Sequence, residues 1–517
     1  MPQKRIQIYD DKESDSVIVA MKPTNKAGQP AAEPVERRTE AKENARQQSM
    51  PRVQNRTSVS PALDRVRKVA KEKKEERFTS LLHYVNPERL KAAYFALKRN
   101  AAPGADGVTW KGYGEKDLDL KLADLHDRIH RGAYRAQPSR RQYIPKADGT
   151  KRPLAITALE DKIVQRAVAD VIEAIYEQDF MGFSYGFRPG RGAHDAMDAL
   201  IMGIERYQVN WVLDVDIRRF FDTVSQEWLI RFLEHRIADR RIIRLIQKWL
   251  KVGVLEDGKI ITSGNGTGQG SVISPLLANI YLHYVIDQWA EHWRRHEAKG
   301  DVIVVRYADD MVLGFEHEAD AKRFWDAMQE RLQKFALSLH PDKTRLIEFG
   351  RHAVTRRKRK GLGKPEAFEF LGFTFICGKT KDGKFQINRK SRKDRRQAKL
   401  KMIKEVLRRN RHKPIPVLGK WLTRVMNGYY AYHAVPTNMQ TLSSFRNRVT
   451  DLLRRTLLMR SQRDRTTWEK MGKIAEAYIP HPRHLHPWPN QRFAVRHPRW
   501  EPYAGIPPVR ICAGGAQ

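Results

Sequence analysis

The chain has 517 residues, 41% of them hydrophobic, which is enough to bury several cores and too apolar for a disordered polymer. Its 97 Lys+Arg against 60 Asp+Glu leave a formal net charge of +37, which disfavours compaction unless a polyanion offsets it, so nucleic acid is the expected partner. No apolar run reaches the ~18 residues of a spanning helix and no basic-then-apolar signal opens the chain, so no membrane partner and a cytoplasmic location are expected.

Residues 1–75 are polar, basic and poor in aromatics, and are expected to form a flexible arm, closing in a helix through Leu63–Lys74. Asn86-Pro87-Glu88 opens a helix, and Ala102–Gly107 is a Pro/Gly loop. Gln142–Pro145 and Arg152–Ile156 flank Asp148-Gly149 and predict a hairpin. Ile163, Val164, Ala167, Val168, Val171, Ile172 and Ile175 recur at helical spacing. Trp211–Ile217 predicts a strand, Leu229–Val252 and Pro275–Trp293 helices, and Val302–Arg306 with Met311–Phe315 a strand pair. Ala319–Ala336 is a further amphipathic helix, and Phe368–Phe375 and Phe385–Asn388 are short strands. Beyond about 390 the chain turns helical and very basic, so the pattern is α+β, a mixed block followed by a helical one. Cys377 and Cys512 are too few and too far apart for a disulfide framework or a Cys-rich zinc site, and His481, His484 and His486 are read as a surface loop.

Asp309 and Asp310 interrupt two apolar strands at a very short step. Adjacent carboxylates there repel and lose water, a cost that a divalent cation would remove. An isolated Asp-Asp would be an exposed turn, but Asp214 and Asp216 lie in a second apolar strand, on one face because the strand period is two. Acidic residues on two strands suit two Mg²⁺ ions, hard cations that clamp the attacking and leaving oxygens of phosphoryl transfer.

Tyr307-Ala308-Asp309-Asp310, preceded by Asp216-Ile217-Arg218-Arg219-Phe220-Phe221-Asp222, resembles the palm of reverse transcriptases, most closely the group II intron-encoded reverse transcriptase/maturase family. Further motifs follow in family order across residues 80–470: Ile144-Pro145-Lys146 with Lys151-Arg152-Pro153-Leu154, Gly182–Arg191, Gly268–Ile280, Pro341-Asp342-Lys343-Thr344 and Phe370-Leu371-Gly372-Phe373. The resemblance implies a right-hand polymerase, with fingers and palm over 76–380, a helical thumb/maturase domain over 381–475 and a basic Pro-rich tail over 476–517. Asp216, Asp309 and Asp310 match the catalytic, metal-holding aspartates; Asp214 departs from that position and is read as supporting, and Asp222 as a helix cap.

Lys146, Arg152, Gln269 and Lys343 match nucleotide-contacting positions, with Lys343 equally suited to template phosphate. Phe220, or Phe221 in its place, would exclude a ribose 2′-hydroxyl. Leu371, Gly372 and Phe373 match the primer grip, although three apolar residues in four would otherwise read as core. The loop within Asn100–Thr109 resembles an N-terminal extension that touches template RNA. The implied partners are intron RNA as template and ribozyme, a DNA primer or target, and deoxynucleoside triphosphates; the implied activity is DNA synthesis on RNA, with splicing assistance and mobility. Only two cysteines argue against the HNH endonuclease many relatives carry. The rival readings are an RNA-binding splicing factor with a vestigial polymerase, and a reverse transcriptase repurposed for phage defence.

Overall fold

The computed structural model describes residues 61–145, 151–460 and 467–496. Helix α1 (Pro61–Glu72) buries Leu63, Val66 and Ala70, so the end of the expected arm packs as part of the body. A turn at Leu82–Tyr84 precedes α2 (Pro87–Ala96), whose start is fixed by Asn86, which accepts from the Arg89 amide at 2.9 Å. Helices α3 (Trp110–Gly114) and α4 (Leu118–His130) lead to β1 (Ser139–Pro145) and β2 (Lys151–Ile156), antiparallel with Ile144 opposite Arg152. The Asp-Gly turn and Lys146 lie outside the described residues.

Helix α5 (Leu159–Asp179) runs through the middle of the core, with Ile163, Val164, Val168, Val171, Ile172 and Ile175 fully buried as their 3.6-residue spacing requires. Helix α6 (Ala193–Arg206) precedes β3 (Trp211–Asp216), and the one-turn α7 (Phe220–Thr223) follows it. The helix expected over Leu229–Val252 is two, α8 (Gln226–Glu234) and α9 (Arg240–Lys251). Asp239 causes the break: its carboxylate caps α9 through the Arg241 amide at 3.0 Å and accepts from the Leu81 and Leu82 amides at 2.8 and 3.0 Å. A hairpin of β4 (Val254–Glu256) and β5 (Lys259–Ile261), which sequence patterning missed, completes a sheet of order β2-β1-β4-β5.

The span Pro275–Trp293 is helical but not uniform: α10 (Ser274–Leu282) passes through a π-type turn at His283–Asp287 into α11 (Gln288–His296). Strands β6 (Val302–Tyr307) and β7 (Asp310–Phe315) form the expected hairpin; α12 (Glu318–Lys334) returns the chain to β8 (Arg345–Glu348), giving a sheet of order β6-β7-β3-β8. After α13 (Ala353–Arg359), β9 (Phe368–Phe370), β10 (Phe373–Lys379) and β11 (Phe385–Ser391) build a smaller sheet. Strand alternation gives the β6–β8 sheet two buried faces. Leu213, Val215, Met311 and Leu313 join α5, α10 and α11, while Val212, Ile303, Val305 and Val312 join α6 and the small sheet.

A separate apolar cluster organises the last helices, α14 (Lys393–Arg409), α15 (Ile415–His433), α16 (Met439–Leu458) and α17 (Trp468–Tyr478). The basic, proline-rich stretch that follows is not all tail. Helix α18 (Pro489–Arg496) returns to α6, with Phe493 buried and Arg492 Nε 3.3 Å from Asp198 Oδ2. His486, expected on a surface loop, is half-buried and stacks on His194 at 3.8 Å, whereas His481 is exposed beside Glu476. No helix among the described residues is long and apolar enough to cross a membrane.

Candidate active site

The register of β3 against β7 sets Asp216 directly opposite Asp310. Tyr307 pairs with Asp310 across the hairpin, so Ala308 and Asp309 form a two-residue turn. Ala308 takes φ +62°, a conformation that costs an L-residue about 1–2 kcal/mol. Strain of this kind persists only where the surroundings hold it. The holder is Arg306, which is fully buried. Its guanidinium bonds Asp287 (Nε to Oδ1 2.6 Å), Ser184 Oγ at 2.9 Å, Asn279 Oδ1 at 3.4 Å and the Ala308 carbonyl at 3.3 Å. One arginine thus ties the hairpin tip to the π-type turn, to α10 and to the 182–191 motif. Sequence reasoning missed it, although an arginine directly after Val302-Ile303-Val304-Val305 was a signal.

Asp214 and Asp216 are 6% and 5% exposed and Asp310 3%, so the carboxylates sit at a protein-lined edge rather than in open solvent. Lys343 Nζ lies 3.3 Å from Asp216 Oδ2, so this lysine faces the aspartates. The backbone of Asp216 is fixed by the His340 amide, which donates to its carbonyl at 2.7 Å. On the other side stand Arg392 and Arg395 at the start of α14. Burial and Arg392 push the Arg395 guanidinium below its ordinary value, opposed by Tyr432, Asp394 and Asp310. These cations at the palm edge were not foreseen, because the basic run 390–396 was read as thumb surface.

Arg152 and Gln269, from separate motifs, meet: Arg152 Nε donates to Gln269 Oε1 at 3.1 Å. The Ala155 amide donates to the Gln269 carbonyl at 2.6 Å, and a Cβ on Gly270 (φ +108°) would stand 2.7 Å from the Ala155 carbonyl oxygen. Only glycine fits this clamp of the 268–270 loop on β2. Burial lowers the Arg152 guanidinium below its usual value, while the charges of Asp309 and Asp222 draw it back up.

Two expectations change. Phe220 is 1% exposed and packs on Phe221 and Tyr281 in the core, so its ring is not available to a sugar; Phe221, at the core edge, is the more accessible of the pair. Asp222 does not cap a helix: α7 has Arg219 in the left-handed region as its N-cap, and the following α8 is capped by Ser225, which accepts from the Trp228 amide at 3.3 Å.

Leu371 (φ +50°) and Gly372 (φ +80°) make a tight turn between Phe370 and Phe373, which splits the expected strand Phe368–Phe375 in two. Leu371 and Phe373 are buried, so this turn offers its backbone rather than its side chains. The Leu371 carbonyl accepts from Tyr432 of α15 at 2.7 Å, and a Cβ on Gly372 would approach Arg395 Nη1 to 2.9 Å. The 102–107 loop packs on the start of α5, where Arg140 Nη2 donates to the Pro103 carbonyl at 3.0 Å and Lys162 to that of Ala102 at 2.9 Å.

As donors the three aspartates suit a hard divalent cation in kind, with carboxylate oxygens from β3, from β7 and from the turn that precedes β7. Among the described residues, however, no group of three His, Cys, Asp or Glu side chains is drawn together closely enough to hold an ion. The strands deliver the aspartates to one edge of the sheet.

The family model for reverse transcriptase (RNA-dependent DNA polymerase) matches residues 144–375, which contain the end of β1, all of β2, the aspartate edge and the 371–372 turn. Protein YkfC of Escherichia coli K12 is 34% identical over 330 residues, 55% of this chain and 85% of that protein. Group II intron-encoded protein LtrA of Lactococcus lactis subsp. cremoris is 37% identical over 226 residues, 43% of this chain and 37% of that protein. The mitochondrial nuclear intron maturase 4 of Arabidopsis thaliana is 25% identical over 228 residues, 43% of this chain and 27% of its own length. The chain therefore spans most of the first relative but only 37% and 27% of the length of the other two. Together with the motif order and the aspartate-bearing sheet, these matches show that the chain belongs to the reverse transcriptase family, among the group II intron-encoded reverse transcriptase/maturases.

Proposed function

We propose that this protein copies RNA into DNA at the edge where Asp216 stands opposite Asp310, and that its basic helical block holds the intron RNA that is copied and spliced. The observation that carries the reading is that register partnership, with Asp309 at the adjoining turn. Two Mg²⁺ ions held by Asp216, Asp309 and Asp310 would neutralise the phosphate and favour the ionised form of the primer 3′-hydroxyl.

The chain's own groups do the rest. Arg152, held by Gln269 and under the charge of Asp309, meets the triphosphate with a charge already positioned, so little reorganisation is needed during transfer. Lys146, next in sequence after β1, would add a second cation, and Lys343 offsets the charge of Asp216 between turnovers. Phe221 would take the sugar-discriminating place that Phe220 cannot. The Leu371–Gly372 turn would present its backbone to the primer end, steadied by Tyr432. Asp214 supports the strand behind them.

RNA binding is assigned to the exposed cations of α14, Lys393, Lys401, Lys404 and Arg408, with the fingers, palm, thumb and tail divided as the family resemblance implies. Asp216→Ala or Asp309→Ala should reduce primer extension on an RNA template by at least about 10²-fold while leaving RNA binding intact. Extension at the wild-type rate in either variant would remove the metal assignment. Splicing of the parent intron should survive Asp309→Ala, since it needs binding alone.

A further inference from the structure

Phe187 is the least expected residue of the 182–191 motif. It is 45% exposed, and its ring belongs to none of the apolar clusters formed by the described residues. Its backbone takes φ +57°, a region that an aromatic L-residue enters only at a cost. An exposed side chain normally leaves its backbone free to relax. Here both neighbours prevent it. The Gly186 carbonyl accepts from buried Asn279 Nδ2 at 3.0 Å. Arg188, 5% exposed, donates to the Met181 and Ser184 carbonyls at 2.6 Å each and to Glu177 at 2.8 Å. Arg191 bonds the Gly182 carbonyl as well. The surroundings therefore hold a strained, outward-facing ring in one place, an arrangement that packing does not need and a contact with something outside the chain does.

The segment is also wired to the catalytic hairpin. Ser184 bridges to Arg306 of β6, the Tyr185 amide donates to the Arg306 carbonyl at 3.4 Å, and Ser184 Oγ accepts from the guanidinium that holds the Ala308 carbonyl. Asn279 belongs to both networks, since its Oδ1 accepts from Arg306 and its Nδ2 holds Gly186. One buried set of bonds fixes the hairpin tip and the ring together.

We infer that Phe187 is a stacking platform for a nucleobase of the polynucleotide lying across the palm, set in fixed relation to the Ala308–Asp309 turn. The inference rests on the polymerase reading and adds to it a contact residue for the bound strand. Every base offers a π-face, so the platform takes any sequence. Template RNA and primer DNA share that chemistry, and the test separates them.

The probe is an RNA template annealed to a DNA primer, with 2-aminopurine placed singly at successive positions in either strand near the primer end. Wild-type protein should quench one position strongly, and the strand that carries it names the source. Phe187→Gly removes the ring yet relieves the left-handed backbone, so its thermal midpoint should stay level or rise while the quench disappears and affinity falls about tenfold. Phe187→Tyr should keep both. Wild-type quench and affinity in Phe187→Gly, or no position-specific quench in the wild type, would overturn the platform. Primer extension run alongside keeps the two claims apart: a wild type that quenches at one position but extends no primer loses the polymerase reading and keeps the platform.

Discussion

The palm and the C-terminal helical block treat charge in opposite ways. In and around the palm, two ion pairs are taken fully out of water: Arg306 with Asp287 at 0% side-chain exposure, and Arg389 with Asp198 at 2%. In the helical block the pairs keep at least one partner in water, as with Lys473–Glu469 at 79% and 80% exposure or Arg455–Asp451 at 68% and 34%. Buried pairs cost much to break and surface pairs little, so the palm is built to hold groups at fixed positions and the helical block to present charge. The small sheet and α18 join the two, through Arg389 and Arg492 on either side of Asp198.

The sharpest way to break that comparison is at Arg306. Arg306→Met should lower the unfolding free energy by about 3–5 kcal/mol, because Asp287 is left buried without its counter-charge. Adding Asp287→Leu should recover much of the loss, and urea denaturation of the single and double variants reads both. Arg455→Ala in the helical block should cost no more than about 1 kcal/mol. Equal losses in the two regions would erase the distinction.

Buried histidines make a second test, of intermediate size. Burial pushes His283 down to about 3 and His433 down to about 4, with nearby arginines adding to the effect. Both stay neutral when folded, whereas the unfolded chain takes up these protons below about pH 6.5. Stability should therefore be level above that pH and fall below it, by about 1.4 kcal/mol per unit for each histidine, until the folded values are reached. His283→Gln should flatten the slope of unfolding free energy against pH by about one proton between pH 6 and 4. An unchanged slope would mean that His283 is not the buried neutral group it looks to be.

The smallest structural effect comes from the exposed cations. Replacing Lys401, Lys404 and Arg408 with glutamine should alter stability by no more than about 0.5 kcal/mol each. The slope of log affinity for single-stranded RNA against log salt should become shallower by up to about 2, at roughly 0.7 for each lost phosphate contact. An unchanged slope would place the RNA elsewhere.

Much of this was legible in the sequence, for physical reasons. Strand alternation and helical spacing depend on local pattern, so α5, β3 and the β6–β7 hairpin fall where periodicity puts them. Arg152 and Gln269 were each marked by a motif; their meeting was not visible, because 117 positions separate them and only the fold supplies the contact. Phe220 and Phe221 are chemically alike and both buried, and only packing against Tyr281 shows which lies deeper. Asp239 breaks a helix because it serves two partners in Leu81 and Leu82, far away in the chain. Arg306 was hidden for the opposite reason: a charge inside an apolar strand reads as an edge until its buried acceptors are known.

In the proposed reaction Asp216, Asp309 and Asp310 become a two-ion site once nucleic acid and nucleotide are present. Manganese paramagnetic resonance on the complex with an RNA template, a 3′-deoxy-terminated DNA primer and the next deoxynucleoside triphosphate tests it most directly. The wild type should bind two ions per complex, and Asp309→Asn and Asp216→Asn fewer at equal occupancy by the template–primer. Two ions retained in both variants would contradict it.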